Sequence, residues 1–113
     1  MMYGYDKQEA LAYMLARVHE KDHPDLSGRI ESLLSQAIDA DMAYMHASGV
    51  LDEDGYAGEG YYEDDEAFEA IVEALVEAGD LSADQAVKVA ALVAEYMDLQ
   101  QAYLERKGLV DWE

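Results

Sequence analysis

The chain has no cysteine, which excludes disulfides, thiolate catalysis and thiolate metal sites, and agrees with a reducing compartment. One proline and eight glycines are too few for a collagen-like or Pro/Gly-rich low-complexity chain. No run approaches about 20 uninterrupted apolar residues, so no membrane-spanning helix is expected. The start, Met1-Met2-Tyr3-Gly4-Tyr5-Asp6, lacks the basic and apolar regions of a secretory leader. Above all, positive charge is scarce. Seven Lys and Arg stand against 26 Asp and Glu, giving a net charge of −19 and a pI near 4.1. Direct nucleic-acid binding is disfavoured on this ground, because affinity for phosphate backbones comes mostly from Lys and Arg. Attachment to an anionic membrane surface is disfavoured for the same reason.

What is present is an apolar majority, 51% of 113 residues. Acidic disordered tails lack that content, and the length allows one compact core with no room for a second. The expectation is a single domain over residues 1–113. Period and punctuation predict an all-α bundle of about four helices, since no segment alternates like a strand. The first helix runs from about Asp6 to Asp22, with Asp6 as N-cap, Leu11, Met14, Leu15 and Val18 as its apolar stripe, and His23-Pro24 as its stop. The second starts near Asp25 and carries Ile30, Leu33, Leu34, Ala37, Ile38, Met42 and Met45 on one face. Gly49 ends it, with Val50 as the apolar contact of a Schellman motif. A long acidic Gly/Tyr loop spans Leu51 to Glu63, and loops of that length are usually functional or mobile.

The third helix, from Asp64 to Gly79, turns Phe68, Ile71, Val72, Leu75 and Val76 inward and Glu66, Glu69, Glu73 and Glu77 outward. The fourth opens on the capping box Ser82-Ala83-Asp84-Gln85 and runs to Lys107. Its two apolar stripes are Leu92, Tyr96, Leu99, Tyr103 and Val89, Val93, Met97, Leu104. A face that wide belongs to a central helix, or to one that also contacts a second chain in a homodimer.

The acidity is uneven. Between Arg29 and Lys88 there is no Lys or Arg, while sixteen Asp and Glu fall in the interval. The densest part is Asp52, Glu53, Asp54, Glu59, Glu63, Asp64, Asp65 and Glu66. Three carboxylates opening a helix suit its dipole. The ladder Glu66, Glu69, Glu73, Glu77 has no such excuse, because like charges at i, i+4 destabilise a helix. Successive members rise by roughly 4–6 Å, comparable with the ~3.4 Å of axis per phosphate on one nucleic-acid strand. Nine Tyr against one Phe and one Trp is a further bias. Tyr44, Tyr96 and Tyr103 read as bundle packing with a polar edge, whereas Tyr56, Tyr61 and Tyr62 lie in the acidic loop and read as contact residues.

Three constellations could carry other chemistry. His19-Glu20-Lys21-Asp22-His23 spells H-E-x-x-H, with His46 or a carboxylate as a third zinc ligand. Charged Lys21 and Asp22 between Glu and His, and Pro24 directly after, favour a solvated helix end instead. Asp52, Asp54 and Glu63 fall at positions 1, 3 and 12 of a calcium-loop register, but Ala57 stands where the sharp turn needs Gly. Finally, Asp65-Glu66-Ala67-Phe68-Glu69 and Glu95-Tyr96-Met97-Asp98 resemble the E-E-x-x-E and E-x-x-D helix motifs of the MazG-like all-α nucleoside triphosphate pyrophosphatases. That resemblance implies Mg²⁺ held by Glu66, Glu69, Glu95 and Asp98 in an antiparallel helix pair.

In size, charge and acid clustering the chain is similar to phage-borne DNA mimics of the anti-CRISPR and anti-restriction kind. The likeness implies a non-enzymatic inhibitor without catalytic residues, cofactor or metal, acting in the cytoplasm of a bacterium or phage host. Its partner would be a basic nucleic-acid-binding protein, such as a Cas effector or a restriction enzyme. The expected contact surface is Asp52, Glu53, Asp54, Tyr56, Glu59, Tyr61, Tyr62, Glu63, Asp64, Asp65, Glu66, Glu69, Glu73 and Glu77.

Overall fold

The computed structural model describes residues 2–109; Met1 and residues 110–113 lie outside the described part. Four helices form, α1 (Lys7–Arg17), α2 (Ile30–Ala47), α3 (Asp64–Gly79) and α4 (Ala83–Arg106), and no strand forms among the described residues. Each helix packs against its sequence neighbours, and α1 closes the ring on α4. The all-α bundle expected from the periodicity is therefore the fold. The long α4 lies between α3 and α1 and also touches α2, so most of its wide apolar face packs inside the bundle, while Met97 and Leu99 stay half-buried. Val89, Leu92, Val93, Tyr96, Tyr103 and Leu104 are all buried there.

The helix starts follow their caps. Asp6 accepts the Glu9 N–H at 3.1 Å, and Ser82 and Gln85 form the reciprocal capping box. The boundaries between α1 and α2 differ from expectation. Helix α1 stops at Arg17, five residues before Asp22. There the His19 backbone N–H donates to the Glu95 carboxylate at 2.8 Å instead of continuing the helical ladder. The intervening stretch forms two short 3-10 turns, Glu20–Asp22 and Pro24–Leu26. Helix α2 begins at Ile30 and not near Asp25, because Gly28 sits at φ +83° and cannot belong to a right-handed helix.

The end of α2 also differs in detail. The N–H that wraps back, to Met45 O at 3.0 Å, belongs to Leu51, and it is Leu51 that is buried; Val50 is half-buried beside it. At the end of α3 the left-handed position is taken by Asp80 (φ 48°), one residue beyond Gly79, and Leu81 N–H closes on Val76 O at 3.1 Å.

The acidic loop is folded back on itself. Asp52 N–H donates to Tyr56 O, Gly58 N–H to Val50 O and Gly60 N–H to Gly49 O, each at 2.8 Å. Asp52 Oδ1 also accepts the N–H groups of Asp54 and Tyr56, at 2.9 Å each. The two chain segments approach so closely that a Cβ on Gly58 would lie 2.2 Å from Gly49 O, and one on Gly60 2.1 Å from Ser48 O. Only glycine permits that approach. The loop is tied to the N-terminus by Tyr3 N–H donating to Gly55 O at 2.8 Å and by stacking of Tyr3 on Tyr56.

Candidate functional site

The anticipated contact surface divides into two parts. Asp52, Glu53, Asp54, Glu59, Glu63, Asp64, Asp65, Glu66, Glu69, Glu73 and Glu77 are all exposed. Among the described residues the Lys–carboxylate pairs are Lys7–Asp39, Lys88–Asp25 and Lys107–Glu9. No Lys or Arg pairs with any of these eleven acids. Helix α3 alone presents Glu66, Glu69, Glu73 and Glu77 along one outward stripe, while Ala67, Ile71 and Leu75 are buried opposite.

The loop tyrosines do not act as one group. Tyr61 is 85% exposed. Tyr56 is half covered by its stack on Tyr3, with ring centroids 4.6 Å apart. Tyr62 turns inward: its hydroxyl donates to Asp41 Oδ1 at 2.8 Å and its ring packs edge-on against Tyr44. Its hydroxyl is thus committed to a buried acid, and only part of the ring stays exposed.

That acid is the centre of a polar network inside the bundle. Asp41 is wholly buried, and its second oxygen accepts the Tyr96 hydroxyl at 2.7 Å. Burial pushes the Asp41 carboxyl above its ordinary pKa, although the hydrogen bonds from Tyr96 and Tyr62 and the nearby Gln100 amide pull the other way. Burial and the facing carboxylate together push the Tyr96 and Tyr62 phenols well up. Gln100, 4% exposed, accepts the Tyr5 hydroxyl on Oε1 at 2.7 Å, and its amide faces the Asp41 carboxylate.

A cavity of about 300 Å³ opens beside this network between α2, α3, α4 and the folded loop. Asp41 and Gln100 form its deep end. Met45, Phe68, Met97 and Leu104 supply apolar wall, and exposed Asp64, Asp65 and Asp98 stand at its mouth. No Lys, Arg or His lines it.

Neither Asp41 nor Gln100 was singled out by charge or motif. Their signal was positional: Asp41 falls on the α2 stripe of Leu34, Ile38 and Met45, and Gln100 on the α4 stripe of Tyr96, Tyr103 and Leu104. A polar residue at an apolar register position is the mark of a buried polar group.

His19 and His23 converge on one carboxylate. Glu95 Oε2 lies 2.7 Å from His23 Nε2, and Glu95 Oε1 lies 3.2 Å from His19 Nδ1. Burial works to raise the Glu95 pKa, but the bonds from His23 and from the His19 backbone together leave it below the ordinary value. Among the described residues, His19, Asp22 and Glu95 are the one trio whose candidate ligand atoms all lie within 4.8 Å of one another. The H-E-x-x-H pair is not carried on a helical face, since the chain there is coil and 3-10 turn. The quartet Glu66, Glu69, Glu95 and Asp98 forms no such group: Glu66 accepts the Tyr44 hydroxyl at 3.2 Å, and Glu95 is committed to the histidines. Asp52, Asp54 and Glu63 form none either, because Asp52 is spent on its own turn.

Fold and site together define an all-α four-helix domain with a cation-free acidic face and a buried-acid cavity. No protein-family model, curated protein or solved structure matches the chain. Among the described residues no helix is long and apolar enough to cross a membrane.

Proposed function

We propose that the protein is a non-enzymatic acidic binding protein that occupies the basic, nucleic-acid-binding surface of a partner protein, as a DNA mimic of the anti-CRISPR or anti-restriction type does. The observation that supports this reading is the contrast in charge pairing. Glu9, Asp25 and Asp39 each hold a lysine, whereas the eleven exposed acids from Asp52 to Glu77 hold no Lys or Arg. A surface selected only for solubility interleaves both signs.

The mechanism is competition. An uncompensated field of this size steers a basic cleft toward the face and speeds encounter. Once docked, α3 and the loop offer carboxylates in place of phosphates, and exposed Tyr61 gives a partner arginine a ring face beside Glu59 and Glu63.

Co-purification with a Cas effector or a restriction enzyme at ~0.15 M and ~0.5 M salt tests it, since screening shortens the reach of exposed charges. Capture should be lost at the higher salt and on reversal of Glu66, Glu69, Glu73 and Glu77 to Lys, while reversal of Glu20 and Glu31, exposed elsewhere, should leave it intact. Capture indifferent to salt and to the α3 reversal would sink the proposal.

A further inference from the structure

Where the turn after α1 meets α4 we infer a binding site for one transition-metal dication of the Zn²⁺ class, held by His19 Nδ1 and the carboxylates of Asp22 and Glu95. Two segments far apart in the chain supply these ligands. Helix α1 stops at Arg17, and the 3-10 turn Glu20–Asp22 follows His19. The Asp22 N–H donates to His19 O at 2.9 Å. Side chains three apart eclipse in such a turn, so the imidazole and the Asp22 carboxylate stand on one side. Glu95 comes from the middle of α4, 76 positions beyond His19. The separations suit a coordination shell. His19 Nδ1 and Glu95 Oε1 are 3.2 Å apart, and two donors on a tetrahedral zinc are about 3.3 Å from one another. All three ligand atoms lie within 4.8 Å of one another, so rotation of the exposed Asp22 side chain closes the rest. Among the described residues no Lys or Arg pairs with Asp22 or Glu95. The His19 side chain is 75% exposed, which lets an ion enter without opening the core.

The buried His23, 6% exposed, is a separate sign that the Glu95 carboxylate is held in place. Burial opposes ionisation of Glu95, but the bonds from His23 and the His19 backbone keep it charged at neutral pH. A charged carboxylate only accepts. The His23 Nε2 lying 2.7 Å from Glu95 Oε2 therefore carries the proton, and it orients the carboxylate as an outer-shell imidazole does at a metal. The His19 N–H bonds Oε1 at 2.8 Å, which leaves that oxygen a second lone pair for the ion. His23 is thus a positioning residue and not a ligand, unlike the second histidine of an H-E-x-x-H zinc helix. An imidazole among carboxylates suits zinc and its neighbours, whereas Mg²⁺ and Ca²⁺ take oxygen donors. The ion ties the turn between α1 and α2 to α4. This site does not depend on the competition reading above, because no residue from Asp52 to Glu77 belongs to it.

The probe is Zn²⁺, titrated by calorimetry and NMR into the ¹⁵N-labelled full chain, with about 10 mM Mg²⁺ present to occupy the diffuse acidic surface. One ion should bind per chain, with a dissociation constant on the order of 10 μM. The His19 Nδ1 resonance should shift, the His19 backbone amide should exchange more slowly, and the His23 ring should keep its Nε2 proton.

His19→Ala leaves the backbone N–H in place and should weaken Zn²⁺ by about a hundredfold or more, beyond the usual effect of an outer-shell change. Asp22→Asn should weaken it by about tenfold. Both residues are exposed, so both variants should fold. Glu53→Gln, an equally exposed acid on the loop, should bind as the natural chain does. His23→Leu should cost about 10–100-fold, and His23→Gln, which keeps a donor, should recover most of that. If the His23 variants do not fold, His19→Ala, Asp22→Asn and Glu53→Gln decide alone. Displacement of Zn²⁺ by the Mg²⁺, affinity unchanged in His19→Ala, equal losses in Asp22→Asn and Glu53→Gln, or coordination through the His23 ring would each overturn the assignment.

Discussion

Replacing Asp41 by asparagine should stabilise the protein at neutral pH, against the usual direction for a change at a wholly buried position. The carboxyl sits in the core with two phenols as donors and no cation. Burial raises its pKa, and the phenols offset that only in part. Below the carboxyl's unfolded-state pKa both states hold the proton and nothing is lost. Stability then declines as pH rises from that value to the higher folded one, and the loss is complete above it. Each tenfold difference between the two acid constants costs the folded state about 1.4 kcal/mol. Asparagine has the same shape, carries no charge and still offers both tyrosines a partner, so it removes the loss without opening a cavity.

Alanine does the opposite. It strands the Tyr96 hydroxyl, which is wholly buried, and that of Tyr62, which is half-buried. An unmet buried hydroxyl costs about 1–3 kcal/mol, so Asp41→Ala should lose about 2–4 kcal/mol. For a chain of this size that is a fall in Tm of roughly 8–16 °C. Urea denaturation followed by circular dichroism between about pH 4 and pH 8 measures all three proteins. Self-repulsion of the acidic surface is shared among them and cancels in the differences. The reasoning fails if asparagine costs as much as alanine at neutral pH, or if the gap between the natural chain and Asp41→Asn is flat across that range.

Gly60→Ala should destabilise by at least about 2 kcal/mol, because its Cβ would lie 2.1 Å from Ser48 O and the backbone itself must yield; a thermal melt within 2 °C of the natural chain, well under about 1 kcal/mol, would refute it. Asp80→Gly should gain a few tenths to about 1 kcal/mol by relieving a left-handed residue at φ 48°, read as a higher urea midpoint at unchanged slope. Glu95→Gln should cost about 1 kcal/mol at neutral pH by weakening the acceptor shared by His19 and His23. Because folding lowers the Glu95 pKa, its contribution is present above the ordinary carboxylate value and fades as pH falls through the folded one. The gap between natural and Glu95→Gln proteins should therefore close in acid, and hydrogen exchange at the His19 amide should quicken in the variant.

Helix number and the caps at Asp6 and Ser82 were legible in the sequence because they rest on local chemistry: period, cap and punctuation. The boundaries around residues 18–29 were not, because a residue 76 positions away, Glu95, takes the His19 N–H. The glycine at 28 carried a local signal for the late start of α2, but the preceding Pro24 drew the boundary toward itself. The internal order of the acidic loop was not legible, because it comes from contacts that composition does not encode, three hydrogen bonds between segments brought within a glycine's reach. Net charge points to the exposed acids, where they are numerous. The acid with the most unusual environment, Asp41, was hidden among apolar neighbours at helical spacing.

The preference for Tyr over Phe and the shortage of Lys and Arg have a common physical explanation. Five phenols donate to acidic or amide side chains: Tyr62 and Tyr96 to Asp41, Tyr44 to Glu66, Tyr103 to Glu9 and Tyr5 to Gln100. A phenol satisfies a carboxylate with a hydrogen bond worth about 1.5–3 kcal/mol when the acceptor is charged. Unlike a lysine or arginine, it cancels none of the charge. Glu9 holds Lys107 as well, but pairing Asp41 or Glu66 with a cation would have shrunk the field that reaches a distant partner. Tyrosine separates those two effects, so the interior can be held together while the exterior stays uncompensated from Asp52 to Glu77. The phenol-for-cation exchange predicts its own signature: Tyr44→Lys should leave the bundle folded, since Tyr44 is only half-buried, yet place a cation beside Glu66 and slow association with a basic partner. An unchanged on-rate at low salt would show that the field at α3 does not steer the encounter.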